Sequence, residues 1–91
     1  MLKLYFTSQF KKDFKLIKKR HLPLNELENV LNILAEGNTL PEKYRDHSLT
    51  GDWKGFRECH IQPDWLLIYR INEDRLELIA QRTGSHADLF S

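Results

Sequence analysis

The N-terminal part of the chain begins with a short alternating stretch and continues with a helical stripe. Leu2 to Phe6 alternates around Lys3, which predicts a short first strand. Thr7 or Ser8 stands where a helix cap is expected. Beyond the cap, apolar residues recur at helical spacing among lysines, and this pattern predicts an amphipathic helix that ends near His21: Phe6, Phe10, Phe14 and Ile17.

A second apolar stripe follows after a short break at Leu22 and Pro23. Proline suits the first turn of a helix, and Gly37 is a plausible stop just past its end. Two helices with so short a connection are expected to form an antiparallel hairpin. Both stripes are interpreted as core-facing surfaces with no role in cofactor binding, the second one comprising Leu24, Leu27, Leu31 and Leu34.

The second half of the chain has the pattern of strands. Residues 38–52 are interrupted by turn-forming residues and are expected to be a loop. Three strands are then predicted, with polar connections between them and an irregular tail after them: Trp53–Ile61, Trp65–Ile71 and Leu76–Arg82, followed by Thr83–Ser91. The order β-α-α-β-β-β predicts an α+β fold, with the helical hairpin packed on one face of a small antiparallel sheet.

Length and composition limit the class of protein. A chain of 91 residues has room for one domain, expected to span residues 1–91, and its 41% hydrophobic content suffices for one core. No apolar run approaches the roughly 20 residues of a membrane helix, and the N-terminus lacks the apolar region of a signal peptide. The single cysteine, Cys59, cannot form an internal disulfide. A cytoplasmic location without a membrane partner is therefore expected.

Charge is distributed unevenly, although the formal net charge is only +1. Residues 1–20 contain a single acid, Asp13, among seven basic residues: Lys3, Lys11, Lys12, Lys15, Lys18, Lys19 and Arg20. Two interpretations stay open, the solvated face of a helix and a patch that docks on RNA phosphates or on an acidic partner.

Candidate catalytic residues are concentrated in the second half of the chain. His60 ends one predicted strand and Asp64 begins the next, so the two are expected to lie close together. His47 lies in the predicted loop, Arg82 ends the last predicted strand, and His86 follows four residues later. His86 reaches the other histidines only if the tail folds back across the sheet. Cys59 alternates with His60 and is interpreted as a small buried hydrophobe.

This set of residues has the chemistry needed to cleave RNA by internal attack. A base removes the proton of the ribose 2′-hydroxyl, an acid protonates the leaving 5′-oxygen, and an arginine stabilises the crowded phosphate. Histidine can serve as either acid or base near neutral pH. From residue types alone, any one histidine is more often structural or merely exposed than catalytic, and His21 is assigned to a helix cap or the surface.

Three blocks of the sequence resemble the YafQ branch of the RelE/ParE toxin superfamily. They are H-x-L-x-G-x-W-K from His47, R-x-x-H-x-x-P-D-W-L-L-I-Y from Arg57, and R-T-G-S-H-x-x-L-F from Arg82. The opening Phe10-Lys11-Lys12-Asp13 and the spacing of the two helices also fit, so the resemblance covers the whole chain.

The resemblance implies a toxin of a type II toxin–antitoxin pair that enters the ribosomal A site and cleaves mRNA there. It implies that His47, His60, Asp64 and His86 form the acid–base set, with His86 as the acid. Asp64 or His60 is the favoured base, and His47 is an orienting group or an alternate base. The resemblance further implies that Arg82 binds phosphate, that Trp65 and Phe90 place the substrate, and that no metal or cofactor takes part.

The implied partners are the ribosome, mRNA and a cognate antitoxin, which is expected to be a ribbon-helix-helix DNA-binding protein. An acidic antitoxin segment is expected to fold on the basic first helix. Two alternatives are retained. A ParE-like toxin of the same fold would inhibit DNA gyrase without cleaving RNA. A metal hydrolase would use His47, His60, Asp64 and His86 as ligands, although their spacing matches no common zinc signature.

Overall fold

The computed structural model describes residues 1–90 and has the predicted α+β fold. No helix within these residues is both long and apolar enough to cross a lipid bilayer. One-turn 3-10 helices occupy Glu42–Tyr44 and Gly51–Trp53. The strands and α-helices, in chain order, are β1 (Lys3–Phe6), α1 (Ser8–Lys19), α2 (Leu24–Ala35), β2 (His47–Ser48), β3 (Arg57–Gln62), β4 (Trp65–Asn72), β5 (Glu77–Gly84) and α3 (His86–Phe90).

The strands form one sheet in the order β1-β5-β4-β3-β2. The predicted antiparallel run of the three long strands is confirmed, because β3 pairs with β4 and β4 with β5 in this sense. β1 joins the outer side of β5 in parallel, so the complete sheet is mixed. A parallel pair needs a long crossover, and here α1, α2 and the other strands separate the two partners.

A side-chain cap begins helix α1, and a residue with left-handed backbone follows its end. The Thr7 hydroxyl caps its first turn by accepting a hydrogen bond from the Phe10 N–H at 2.9 Å. After Arg20 the chain reverses through His21, whose φ of 58° is left-handed. The predicted capping and the predicted end near His21 are therefore confirmed. Most of the two apolar stripes is buried against the sheet in the main core, with Phe10, Ile17, Leu27, Val30 and Leu31 among the buried residues. Phe6, which was predicted to belong to the first stripe, instead ends β1 and is 42% exposed.

The opposite face of the sheet carries a second, smaller cluster. Leu66 and Ile68 of β4 are fully buried there, and Leu89 of α3 lies against them. Leu49, Trp53 and Phe56 pack around this cluster, and the rings of Trp53 and Phe56 meet edge to face at 5.3 Å. A short apolar cover thus shields the side of the sheet that the long helices leave free.

Three segments differ from the sequence-based expectations. The predicted loop 38–52 contains the short strand β2, in which His47 lies, because His47 and Ser48 pair with Glu58 and Arg57 of β3. The predicted strand Trp53–Ile61 begins only at Arg57, because Gly51 and Gly55 adopt positive φ angles and the chain turns there. The predicted irregular tail instead extends β5 through Thr83 and Gly84 and then forms α3. Ser91 lies outside the described residues.

A reciprocal cap explains the unexpected helix α3. The Ser85 N–H donates to the Asp88 carboxylate at 2.9 Å, and the Asp88 N–H donates to the Ser85 hydroxyl at 3.1 Å. A serine followed three residues later by an acid is the capping-box pattern of a helix start. The spacing of Ser85 and Asp88 was the signal in the sequence that would have predicted α3.

Candidate active site

Three histidines from distant parts of the chain converge at one end of the sheet. The ring centroids of His47 and His60 are 6.4 Å apart, and those of His60 and His86 are 5.7 Å apart. β2 and β3 position the first two rings, and α3 folds back to bring the third. The tail therefore folds back across the sheet, which is the condition under which His86 was expected to reach His60.

Sequence reasoning missed Glu58, which lies between two of the histidines. Its side chain is on the same face of β3 as His60, and the residue is only 6% exposed. Its Oε1 atom lies 3.2 Å from His60 Nε2 and 3.4 Å from His47 Nε2. The signal in the sequence was the position of Glu58 two residues before His60, which puts both side chains on the same face of β3. A buried acid on that face needs a partner.

His47 is held in place by its neighbour Asp46. The Asp46 carboxylate accepts hydrogen bonds from the Tyr69 hydroxyl and, at 3.0 Å, from Arg57. Burial and the adjacent Asp46 raise the pKa of Tyr69. Both ring nitrogens of His47 face oxygen atoms, namely those of Glu58 and of the Ser48 carbonyl at 3.2 Å. His47 therefore has less freedom to exchange a proton with a substrate than His60 has.

Asp64 and His86 form a closely hydrogen-bonded pair. Asp64 Oδ1 lies 3.0 Å from the His86 backbone nitrogen and 2.6 Å from its Nδ1 atom. These two contacts, the backbone one first, hold the pKa of Asp64 below its ordinary value. An ionised carboxylate at Nδ1 places the ring proton on that nitrogen and leaves Nε2 directed away from it. His86 can then give or take a proton at Nε2.

Arg82 is paired with an acid of α1. Its Nε and Nη2 atoms donate to Asp13 at 2.8 and 3.1 Å, and this pair raises the pKa of Arg82. The nearby acid Asp64 contacts His86 and not Arg82. In the sheet register Arg82 is opposite Ile68, which is opposite Glu58. The Arg82 Cα atom therefore lies two strands from that of Glu58, or about 10 Å away, while its guanidinium is directed towards Asp13.

The two aromatic residues implied in substrate placement have opposite environments. Trp65 is 2% exposed in the main core, where its Nε1–H donates to the Thr83 hydroxyl at 2.9 Å. Other side chains of the main core enclose the Trp65 ring, and a role of this residue in placing the substrate stays a prediction. Phe90 is 45% exposed at the end of α3 and remains available for stacking. Cys59 is fully buried, as expected, and burial raises its pKa.

Helix α3 is tied to the end of α1 by an ion pair. The Arg20 guanidinium donates two hydrogen bonds to the Asp88 carboxylate, at 2.6 and 3.1 Å. Arg20 and then the Ser85 N–H hold the pKa of Asp88 well below its ordinary value. Gly84 lies so close that an added Cβ would be 2.9 Å from an Asp88 oxygen. The absence of a side chain at Gly84 leaves room for Asp88, whose bonds to Arg20 and Ser85 fix the first turn of α3, and with it His86.

Replacing Asp88 with asparagine is expected to lower the free energy of unfolding by about 1 kcal/mol at neutral pH, because the cap and the Arg20 pair are both weakened. The pKa of Asp88 is lower in the folded state than in the unfolded state, where it is about 3.9. The ionised carboxylate therefore stabilises the fold above about pH 4, and this contribution is lost as the pH falls through the folded-state pKa. Urea unfolding at a series of pH values measures the difference, which should shrink below about pH 4. Asp52→Asn, at an exposed position, is the control. Equal loss at every pH would contradict the assignment.

Metal binding and proton transfer are both within the chemistry of this cluster. One ligand atom each from His47, Glu58 and His60 lies within 4.8 Å of the others, a set that could hold a metal ion. The same atoms also make two histidine–carboxylate combinations, His60 with Glu58 and His86 with Asp64. Two such combinations can supply one base and one acid to a single substrate.

Comparisons with known proteins give matches to bacterial toxins, in sequence and in fold. The family described as bacterial toxin of type II toxin–antitoxin system, YafQ, matches residues 2–91. The mRNA interferase toxin YafQ of Escherichia coli K12 is 43% identical over 86 residues, which cover 93% of this chain and 91% of the relative.

Solved structures extend the similarity to the fold. A chain in the crystal structure of the E. coli DinJ–YafQ complex is 40% identical, with a TM-score of 0.91 and complete coverage of both chains. A metal-bound toxin from Helicobacter pylori is 42% identical, with a TM-score of 0.93 over 99% of this chain and 100% of the other. The chain therefore belongs to the YafQ family of bacterial toxins from type II toxin–antitoxin systems.

Proposed function

We propose that this toxin is an endoribonuclease that cleaves mRNA on the ribosome by metal-independent acid–base catalysis. The observation that carries the proposal is the separation of 5.7 Å between the rings of His60 and His86, each next to a carboxylate. Two imidazoles at this spacing can lie on either side of one phosphodiester. The similar E. coli protein is named an mRNA interferase, which supports the same reaction here.

In the proposed reaction, His60 acts as the base and His86 as the acid. Nε2 of His60 faces Glu58, and no residue among 1–90 hydrogen-bonds its Nδ1, which is free to take the proton of the ribose 2′-hydroxyl. The 2′-oxygen attacks phosphorus, and the bond to the 5′-oxygen breaks. His86 donates its Nε2 proton to that leaving oxygen, while Asp64 holds the opposite side of the ring. Asp64 is thereby assigned as the orienting partner of the acid.

Arg82 and Phe90 complete the proposed substrate contacts. Asp13 occupies Nε and Nη2 of Arg82, so Nη1 remains to stabilise charge on the phosphate. Phe90 is exposed four residues after His86, where its ring can stack on a neighbouring base. His47 is proposed to orient Glu58 and to add positive charge beside His60.

The proposal that RNA cutting needs no metal ion can be tested directly. Toxin stripped of transition metals with EDTA and then dialysed is expected to cut mRNA on translating ribosomes at the same rate as untreated toxin. Added Zn²⁺ is expected to slow cutting, because it competes with protons for the ring nitrogens of His47 and His60. Measured cutting rates before and after metal is restored decide the matter. Activity that disappears on stripping and returns with metal would favour the metal hydrolase.

The cognate antitoxin is proposed to bind a groove between β1, α1 and α2. The groove has a volume of about 700 Å³, a floor of apolar side chains that includes Phe10, Phe14 and Leu27, and lysines at its margin. An amphipathic segment with acidic residues on its outer side matches both features. The complex of the similar E. coli protein with DinJ supports the existence of such a partner. The expectation that this partner is a ribbon-helix-helix protein stays a prediction.

Charge reversal at the groove margin is expected to weaken antitoxin binding at least tenfold, since two favourable charge contacts become repulsive. The variant carries Lys11→Glu and Lys15→Glu, both of which line the groove. Lys12→Glu with Lys19→Glu, on the same helix but outside the lining, is the matched control. Isothermal titration with the antitoxin measures both affinities. Equal affinities for the two variants would place the antitoxin elsewhere.

Expression in bacterial cells tests the proposed function as a whole. Protein synthesis is expected to stop before DNA synthesis, and mapping of RNA 5′ ends should show cuts inside the coding regions of translated messages. A ParE-like action on DNA gyrase predicts the opposite order and no new RNA ends. Replication arrest without RNA cleavage would therefore replace the ribonuclease with the gyrase inhibitor.

A further inference from the structure

Next to His60, a polar cleft opens along the outer edge of β3. β2 pairs only with Arg57 and Glu58, so the remainder of β3 has no strand on that side within residues 1–90. The cleft has a volume of about 720 Å³, which is within the range of small-molecule binding sites, roughly 300–1,000 Å³. His60 forms part of its wall, which makes the cleft continuous with the cluster of histidines.

Side chains with the hydrogen-bonding groups of nucleobase recognition line one wall. Asn25 and Glu26 in the first turn of α2, and Asn29 one turn later, belong to the cleft lining. The Gln62 amide donates to Glu26 Oε2 at 3.0 Å and fixes this carboxylate at the cleft floor. Asparagine amides can pair with a base edge through two hydrogen bonds, and a carboxylate accepts from an exocyclic amine.

The opposite wall supplies positive charge. Lys43 and Arg45 belong to the lining and are exposed, while Tyr44 between them is buried. The Asn29 amide donates to the Tyr44 hydroxyl at 3.4 Å, which joins the two walls. Exposed cations beside a set of base-pairing groups suit a nucleotide, whose phosphate and base need different partners.

We propose that this cleft binds the nucleoside next to the scissile phosphate, and that Asn25, Asn29 and Glu26 select its base. The inference rests on the proposed ribonuclease function, because His60 acts at the cleft wall in that reaction. The cleft would then determine which messages are cut, whereas the histidines and Asp64 determine the rate of cutting.

The first test maps cut sites in cells that express Asn25→Ala with Asn29→Ala. We expect cutting to continue, and discrimination among bases at one position beside the cut to fall about fivefold or more, which is the lower end of the effect of a bidentate contact. Asn38→Ala, a same-type change at an exposed position just after α2 and outside the lining of both grooves, should keep the parent's profile. A double variant with the profile of Asn38→Ala would overturn the proposal, and so would a folded double variant that no longer cuts RNA.

A second test does not depend on cleavage. In a nuclear magnetic resonance titration of the parent protein with AMP, GMP, CMP and UMP in turn, the side-chain amide signals of Asn25 and Asn29 are expected to shift for at least one nucleotide. The Asn38 amide should stay in place. If none of the four nucleotides shifts Asn25 or Asn29, the proposal is wrong even where the toxin cuts RNA. If they shift in a protein that cuts no RNA, the ribonuclease function fails and the cleft remains a nucleotide site.

Discussion

Replacing His86 with asparagine is expected to reduce the rate of mRNA cutting by about 10²–10⁴-fold, the usual contribution of a general acid. Asparagine can still donate to Asp64 but has no titratable proton for the leaving 5′-oxygen. The side chain of His86 is half-exposed, so the change should not disturb the core. Primer extension on a translated message, with toxin added to purified ribosomes, measures the rate.

His21 provides the matched control for this variant. It is an exposed histidine in the turn after α1, and its left-handed backbone is one that asparagine tolerates well. His21→Asn should therefore cut as fast as the parent. A His86→Asn protein that is folded and as active as His21→Asn would remove the acid from the proposed mechanism.

Replacing Trp65 with alanine is expected to lower the free energy of unfolding by about 3–5 kcal/mol, the range for a buried tryptophan. The loss has two sources. The indole fills the main core, and its Nε1–H donates to Thr83, whose hydroxyl in turn donates to the Leu66 carbonyl at 2.7 Å. A domain of this size has only about 5–15 kcal/mol of stability in total, so a large unfolded fraction is expected.

Trp65→Phe separates a packing role from a substrate role. Phenylalanine keeps most of the buried apolar surface and loses the hydrogen bond, so the variant should be destabilised by about 1–2 kcal/mol and remain folded. Urea unfolding measures both variants, and cutting is assayed where Trp65→Phe is folded. Unchanged stability of Trp65→Ala together with lost cutting would show that the ring contacts substrate after all.

Much of the fold follows from periodic patterns, because those patterns report burial directly. The stripes of α1 and α2 and the apolar run of β4 are confirmed at nearly the predicted positions. The pattern failed around Trp53 and Phe56, where alternation suggested a strand. Their side chains are packed on the second cluster by a turn, and the positive φ of Gly55 that allows this turn has no effect on hydrophobic periodicity.

The candidate site was predictable only in part. Proximity of His60 and Asp64 follows from their places on either side of a tight turn, whereas the position of His86 depends on α3, which the Ser85–Asp88 cap creates. Pairing between Arg82 and Asp13 joins positions 69 residues apart, and no local pattern indicates such a contact. Glu58 was overlooked because an acid in an alternating strand is usually solvated.

The parallel pairing of β1 with β5 affects when the protein can fold during its synthesis. Thr7, just after β1, bonds to Gln81 of β5, 74 residues later, so the N-terminal strand leaves the ribosome long before β5, the strand with which it pairs among residues 1–90, exists. Contacts of such sequence separation slow folding, because a large loop must close first. During this delay His86 cannot yet lie beside His60, because β5 and α3 are the last elements of the described chain to be synthesised.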